Sequence, residues 1–517
     1  MTKKQEIVVT VLTVIVFMLL LALTNRVWFR LDITKNKSYT IAPVSRLLYT
    51  ELPDKVRISY YISSKLRSTH PIPREIEDIL REYATYSHGM IEVTVVDPAD
   101  RSAELEMLGI EPQQIQTIER DEATITTVYT GIVLEYRDRI EVLPFVFSLN
   151  TLEYDITSRI RAMVQEQERR IGIALGDSRQ SLDADYPYIV QALSDAGYRP
   201  MEVSVHEEIP ASLPVIIVLA DNVDLSINAQ YRLDQYIQNG GHVLFALNAV
   251  HIAMTNTLEA QMVERAGLLE QLAYYGATIE DVLVLDRAAN MLQYQIGNQI
   301  RLVRYPLWIS VPAEQANAKH PISAHFSGAD LFWSSPITLT LLDGVESFPL
   351  FSSTDYSWLQ RKEFVINPDL TVLMEQEAPD TTGAQILAAA LSGTFPRFFS
   401  EKPPSLSANF PDMPSETQAS RLVIIGDSDL FSSYIRATGS SRNLEFLIQA
   451  VDWLSNDEDI ISIRNRTNGT GRLDKISDIQ QRNMVMTFSR TFNMIIMPLL
   501  VLGIGIFLNW KRKTQRY

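Results

Sequence analysis

The residues best suited to chemistry in this sequence are four polar side chains that follow predicted strands. Asp427, Ser428 and Asp429 follow one strand. Asp177 follows another. Ligands of open α/β sheets bind outside the carboxyl ends of strands, and paired carboxylates can hold a metal ion. Aspartate and serine at such positions also form Asx turns that cap the next helix. We favour the Asx turn and keep the four residues as candidate ligands.

His320 and His325 form a second candidate pair. Their five-residue spacing does not fit the i, i+4 arrangement of helical zinc sites, and Pro321 opposes a helix there, so we predict a loop. The chain has no cysteine, which excludes thiolate nucleophiles and zinc–thiolate sites. The motifs G-x-S-x-G, H-E-x-x-H and the P-loop lysine motif are absent from the sequence. We therefore predict no catalytic residue, no metal, no cofactor and no ATP hydrolysis by this chain.

Composition narrows the class of partner. The 517 residues are 46% hydrophobic and carry a formal net charge of -16. A chain of this length can bury a large core and is expected to form two to four domains, at about 150 residues each. Phosphate binding needs a basic face, so the negative charge argues against nucleic acid as a partner.

An apolar run lies near each end of the sequence. Ile7 to Leu23 and Phe492 to Trp510 are each close to the length of about 20 residues that a bilayer-spanning helix needs. A cleaved signal peptide is the alternative for the first run, and a buried core helix for the second. We predict transmembrane helices over 7–26 and 491–510, in contact with the lipid bilayer.

The charges beside these runs predict an orientation. Lys511, Arg512 and Lys513 directly follow the second run, which places that end in the cytoplasm by the positive-inside rule. Two spans then place the N-terminus in the cytoplasm as well. The body between them is predicted to be periplasmic, in a bacterial inner membrane. Gly503 and Gly505 would allow close packing of the last helix against a partner helix.

The elements after the first run suggest a small domain over 31–168. A strand at 56–62 precedes a helix whose apolar residues recur at helical spacing, and a strand at 91–96 follows. A short helix, a hairpin about Arg137-Asp138 and a closing helix complete the order. This is the element order of a thioredoxin-like fold, without the cysteines of a redox site.

Strands and helices alternate from residue 169 onward, which predicts a doubly wound α/β sheet over 169–470. The run 215–220 is almost wholly apolar, as a parallel strand covered on both faces requires. Ser226 is predicted to cap the next helix, and Gly240-Gly241 to end it. Residues 421–427 are predicted to form a late strand and a tight turn, and we expect this strand to rejoin the sheet.

The remaining segments have less regular sequence patterns. A helix is expected from Gln261 to Tyr275, followed by an inserted β-rich region at about 290–415. The Pro- and Ser-rich stretch 401–416 is predicted as a surface loop. Asn443 is expected to cap the last helix of the body, and 471–490 to link it to the second span.

Several segments in the same order resemble one protein family, the auxiliary proteins of ABC-type transport systems typified by the gliding-motility protein GldG. The likeness extends from the first apolar run to the last segment of the body. The residues that carry it are Asn25, Arg26, Leu31-Asp32-Ile33-Thr34, Lys37, Tyr39-Thr40-Ile41, Val93 to Pro98, Leu152 to Thr157, Tyr236-Ile237, Gly240-Gly241, His320-Pro321-Ile322, Arg421 to Asp429, Asn443 and Val451 to Leu454.

The resemblance implies which partners the chain has and which fold its central domain adopts. Members accompany an ABC-2-type permease and a cytoplasmic ABC ATPase. Their central domain is similar to the flavodoxin-like fold of class I glutamine amidotransferases, without known catalysis. We therefore expect a non-catalytic subunit of an export or gliding-motility complex, and leave a homo-oligomer open. The alternatives are a membrane-tethered metal-dependent hydrolase using the strand-end aspartates, and a glycan- or peptidoglycan-binding module.

Overall fold

The computed structural model of the chain describes residues 41–455 and residue 492. Within that range it omits residues 51, 100, 120–121, 150, 165–168, 177–180, 211, 222–224, 255–257, 263–266, 297–298, 325, 362, 377–381, 407–409 and 440. Thr40–Asn468 forms one compact unit, which contains every feature below. No helix in the described part is long and apolar enough to cross a membrane. The two predicted spans lie outside that part, apart from residue 492, and stay predictions.

The first part of the unit is a mixed four-stranded sheet with helices beside it. Its elements are α1 (Pro43–Thr50), β1 (Val56–Ile62), α2 (Ser64–Thr69), α3 (Ile72–Tyr86), β2 (Ile91–Val96), α4 (Ser102–Met107), β3 (Gln113–Glu119), β4 (Glu122–Val128), β5 (Thr130–Tyr136), β6 (Arg139–Leu143) and α5 (Leu152–Val164). The sheet order is β2-β1-β5-β6, with only β1 and β2 parallel. The predicted strands and the hairpin turn at Arg137-Asp138 are confirmed, whereas the β3–β4 hairpin was not predicted.

Helix α3 shows how the sequence pattern produces this packing. Ile76, Ile79, Leu80 and Tyr83 recur at helical spacing and are all buried. Burial of an aliphatic or aromatic side chain stabilises the fold by about 1.5–3 kcal/mol, so this face fixes the helix on the sheet. The Tyr83 ring packs at 5.2 Å from the ring of Tyr49 on α1. The segment after the first predicted span is therefore part of the same core.

The second part is built around a seven-stranded sheet. Its strands and helices are β7 (Arg170–Leu175), α6 (Leu182–Asp185), α7 (Ile189–Asp195), β8 (Arg199–Glu202), β9 (Val215–Asp221), α8 (Ile227–Gln238), β10 (His242–Asn248), β11 (Val250–Met254), β12 (Leu258–Met262), α9 (Leu268–Tyr274), β13 (Ala277–Ile279), β14 (Leu283–Asp286), β15 (Ala289–Ile296), β16 (Gln299–Val311), β17 (Ala329–Phe332), β18 (Ile337–Leu339), β19 (Val345–Ser352), β20 (Ser357–Gln360), α10 (Thr371–Gln376), β21 (Ile386–Gly393), β22 (Ser420–Ile425), α11 (Ile435–Thr438) and α12 (Arg442–Leu454). Short 3₁₀ turns lie at Ala313–Gln315, Pro368–Leu370 and Asp429–Phe431.

The order of the large sheet is β19-β21-β22-β10-β9-β7-β8. The five strands from β22 to β8 are parallel, and β21 and β19 extend the sheet with antiparallel pairing. The predicted return of the late strand to this sheet is confirmed, because β22 pairs with β10. The region 290–415 contributes β19 and β21 to the same sheet. The chain is thus an α/β protein with several sheets.

Strand β9 lies between two hydrophobic cores. Val215, Ile217 and Leu219 belong to the core on one face, and Ile216 and Val218 belong to the core on the other. Side chains of a strand alternate between faces, so a strand covered on both sides must be apolar throughout. This explains the uninterrupted apolar run in the sequence.

Both predicted ends of helix α8 are confirmed. The backbone N–H of Ala229 donates to Ser226 Oγ at 3.3 Å, which caps the first turn. Gly240 has φ of 83°, and the N–H of Gly241 donates to the Tyr236 carbonyl at 2.9 Å. A left-handed residue followed by this bond is the usual glycine-terminated helix end.

Two predicted helix starts are wrong. The helix expected from Gln261 begins at Leu268, after Gly267 with φ of 78°. Leu258–Met262 instead pairs with Val250–Met254, because its apolar residues alternate with polar ones as in a strand. Asn443 does not cap α12 but lies inside its first turn. Its amide exchanges two hydrogen bonds with the backbone of Asp330, at 2.8 and 2.9 Å, and ties α12 to β17.

Candidate functional site

Asp427 is fully buried at the carboxyl end of β22, and its oxygens accept backbone hydrogen bonds. Oδ1 accepts from the N–H of Asp429 at 2.7 Å and of Leu430 at 3.0 Å. Oδ2 accepts from the N–H of Phe332, the last residue of β17, at 2.7 Å. The first two bonds form an Asx turn that opens the 3₁₀ turn after β22. The carboxylate therefore holds together the backbone of two strand ends.

Asn248 joins this turn to the carboxyl end of β10. Its side-chain carbonyl accepts from the Ser428 N–H at 2.8 Å, and its amide donates to Asp429 Oδ2 at 3.0 Å. Burial, followed by the nearby charge of Asp429, raises the pKa of Asp427 well above its usual 3.8. A carboxyl group that resists ionisation and already accepts three N–H bonds is a poor cation ligand.

The turn is also covered by another segment of the chain. The N–H of Ser335 donates to the Gly426 carbonyl at 2.7 Å, and Ser334 Oγ donates to the same oxygen at 3.2 Å. A Cβ atom at Gly426 would lie 2.0 Å from the Ser335 carbonyl oxygen, so only glycine fits there. Among the described residues, no group of three or more His, Asp or Glu side chains is placed to hold a metal ion.

The other predicted site residues are either outside the described residues or, in the case of His320, in a different environment. Asp177, His325, Gly503 and Gly505 lie outside the described residues. His320 is buried between aromatic rings, with centroids 5.1 Å from Trp453 and 5.4 Å from Phe348. Of the four strand-end candidates, the structure brings together Asp427, Ser428 and Asp429.

A half-open groove of about 560 Å³ lies at the opposite, amino-terminal edge of the parallel sheet. Pro214 and Gly241, which directly precede β9 and β10, line it together with residues of α8 and of the loop at 410–414. The guanidinium of Arg232 lies 5.0 Å from the Phe410 ring centroid. The acidic Asp412 also lines the groove, as does Glu208. The walls of the groove therefore carry both positive and negative side chains.

The first turns of α5 contain polar contacts whose roles were not predicted. Glu153 Oε1 accepts from the Ala42 N–H at 2.6 Å and from Ser45 Oγ at 2.7 Å. One turn further on, the hydroxyls of Thr157 and Tyr49 lie 2.5 Å apart. Thr157 also donates to Ser45 Oγ at 3.3 Å, and these contacts together hold the segment 42–49 against α5.

The residue of α5 after Glu153 reaches the last helix of the body. Asp452 on α12 is fully buried, and its carboxylate accepts from the Tyr154 hydroxyl at 3.2 Å and from the Tyr198 hydroxyl at 2.7 Å. Arg169 donates to the Tyr198 oxygen at 2.8 Å and lies over its ring. Burial and the charge of Asp452 raise the pKa of Tyr198, which keeps its hydroxyl protonated and donating. The sequence predicts helices at both segments, and both carry the family resemblance, but it does not predict the contact between Tyr154 and Asp452.

The chain matches two protein families and an uncharacterized relative. A family described as an ABC-type uncharacterized transport system matches residues 168–456, which is more than half of the chain. A family described as a domain of unknown function matches residues 35–135. An uncharacterized protein of Borreliella burgdorferi is 24% identical over 512 residues, which covers 98% of this chain and 97% of that protein.

Similar solved structures include the mmIFT52 N-terminal domain, at 10% identity and a TM-score of 0.33, covering 55% of this chain and 96% of that one. A ThuA-like protein of Parabacteroides merdae is similar at 9% identity and a TM-score of 0.27, covering 56% and 91%. Both scores are too low to bear on function. The match over residues 168–456 shows that the chain belongs to the family of ABC-type transport system auxiliary proteins.

Proposed function

We propose that this chain is a non-catalytic, membrane-anchored subunit of an ABC-2-type transport complex that serves export or gliding motility. In such a complex it would couple a permease and a cytoplasmic ATPase to a periplasmic substrate or envelope partner. The observation that carries the proposal is the family match over more than half of the chain. The assignment to the GldG-like branch of that family is also part of the proposal, and it rests on the sequence resemblance alone.

The two large sheets support a fold assignment within this proposal. The order β2-β1-β5-β6, with one parallel and two antiparallel pairings, is that expected of a thioredoxin-like domain. The parallel strands β8-β7-β9-β10-β22 follow the 2-1-3-4-5 order of flavodoxin-like sheets. We assign the first sheet to the thioredoxin-like class and the second to the flavodoxin-like class.

A non-catalytic role is supported by the chemistry of the sheet edge. Asp427 is fully buried, and its oxygens accept hydrogen bonds from three backbone N–H groups, so its carboxyl group is engaged in holding the turn. A class I amidotransferase needs a cysteine nucleophile, and the chain has none. The body is therefore proposed to act through binding and motion.

The periplasmic location rests on the sequence alone. The basic tail after the second apolar run favours cytoplasmic termini in the bacterial inner membrane. The absence of native cysteine offers a direct test. Leu341→Cys introduces a thiol at a position that is 89% exposed, and Thr514→Cys introduces one in the tail. In intact cells, a membrane-impermeant maleimide should label only the first, and labelling only the second would reverse the proposed topology.

The partners are tested by affinity purification of the tagged full chain from native membranes in mild detergent. We expect to recover a multi-span permease and an ATPase with Walker motifs. The variant Gly503→Leu/Gly505→Leu should lower that recovery, because bulky side chains prevent close helix packing. The variant Ile504→Leu/Ile506→Leu is the matched control and should leave recovery unchanged. Recovery of neither partner with the unmodified chain would refute the proposed function.

A further inference from the structure

Segments from the two ends of the described body meet on neighbouring residues of α5. Glu153 contacts residues 42–45, which follow the first predicted span. Tyr154 contacts Asp452, three residues before the described body ends at residue 455. Two chain regions that are about 400 residues apart are therefore held by adjacent positions of one helix.

The contacts on both sides are buried. Ser45 and Asp452 are each 0% exposed, and Thr157 is 1% exposed. A hydrogen bond to a buried charged group is stronger than one between neutral groups, and loss of one partner leaves the other desolvated. Glu153 and Asp452 each accept hydrogen bonds from at least two donors, so loss of these contacts leaves a buried carboxylate with fewer partners.

We propose that residues 41–49 and the last turns of α12 move together because both are bound to α5. The residues that connect them are Glu153, Tyr154 and Thr157 of α5 with Asp452 of α12, and we call this set the α5 joint. Because α5 is a helix, a shift of Glu153 carries Tyr154 with it, and the displacement reaches Asp452 directly. The joint itself does not depend on the proposed function, but its use in relaying motion from an ATP-driven partner does rest on it.

Hydrogen exchange on the purified full chain, without partners, tests the joint separately from the function. Asp452→Asn and Tyr154→Phe each weaken the hydrogen bonding between α5 and α12. We expect both variants to speed amide exchange in residues 41–49 by about tenfold, because local opening follows the loss of a buried contact. In the reverse direction, Glu153→Gln should speed exchange in the last turn of α12.

Asp330→Asn provides the matched control at the other end of α12. That change weakens the contacts of Asp330 with Arg442, whose Nη2 lies 2.8 Å from both carboxylate oxygens. It should leave exchange in residues 41–49 unchanged. Amide exchange in β9 distinguishes local opening from general unfolding of the body. The exchange rate of the β9 amides should therefore be the same in Tyr154→Phe as in the unmodified chain. The proposal is overturned if each variant affects only its own side, or if Asp330→Asn has the same effect as Asp452→Asn.

Discussion

Acidification should destabilise the body through His320. The side chain is 5% exposed, and burial, followed by the charge of Arg421, lowers its pKa from 6.5 to about 4. Its Nδ1 accepts from the Ile322 N–H at 3.3 Å, which requires the unprotonated nitrogen. The folded state therefore prefers neutral His320, whereas the unfolded state takes up a proton below pH 6.5.

The sign and size of the effect follow from this difference. The contribution of neutral His320 to the free energy of unfolding is fully present above pH 6.5. It is lost as the pH falls toward 4, where the folded state also binds the proton. Each pKa unit corresponds to about 1.4 kcal/mol, so the full loss is about 3 kcal/mol. The free energy of unfolding should fall by about 1.4 kcal/mol per pH unit across this window from this residue alone.

The assay is urea unfolding of the detergent-solubilised full chain at several pH values between 7 and 4. His320→Asn keeps an acceptor for the Ile322 N–H and removes the titrating ring. His242, whose pKa is also lowered to about 4, titrates in both proteins and cancels in the comparison. The difference in the free energy of unfolding between the unmodified chain and His320→Asn should decrease steadily as the pH falls below 6.5. Parallel curves over the whole range would show that His320 is not held neutral, and the reasoning would fail.

Three further predictions use the same unfolding measurement at pH 7. Gly241→Ala should lower the free energy of unfolding by about 1–3 kcal/mol, because its Cβ would lie 2.3 Å from the Tyr236 ring; an unchanged midpoint would contradict that contact. Asp427→Ala should lower it by about 2–4 kcal/mol, since three backbone N–H groups lose their acceptor, and full stability would reopen a ligand role. Phe446→Ala should cost about 3–5 kcal/mol, whereas Leu341→Ala, at an 89% exposed position, should change stability by less than about 0.5 kcal/mol.

Local patterns in the sequence were sufficient for much of the fold. The apolar run of β9 and the capping residue Ser226 each carry their signal within a few residues, and both were confirmed. The β3–β4 hairpin was missed because its strands are rich in Gln, Thr and Glu and lack an apolar alternation. The helix predicted from Gln261 starts too early, because Leu258–Met262 pairs as a strand with Val250–Met254.

The candidate site was predictable in position but not in chemistry. The sequence places Asp427 after a strand and suggests an Asx turn, which the bonds to Asp429 and Leu430 show. The third bond comes from Phe332, nearly a hundred residues earlier, and has no local signature. The same is true of Tyr154 and Asp452, whose contact spans 298 residues. Contacts of this range depend on the assembled sheet and cannot be read from spacing.

The position of β22 in the sheet has a consequence for how the protein is made. Strand β10 ends at Asn248, but the parallel neighbour that completes its hydrogen bonding begins only at Ser420. A ribosome adding about 5–20 residues per second needs roughly 10–30 seconds to supply that stretch. During this interval the nascent chain carries a bare, strongly apolar strand edge, which can pair with other chains. Because the sheet closes late, we expect the edge of β10 to need protection from such pairing until β22 has been made.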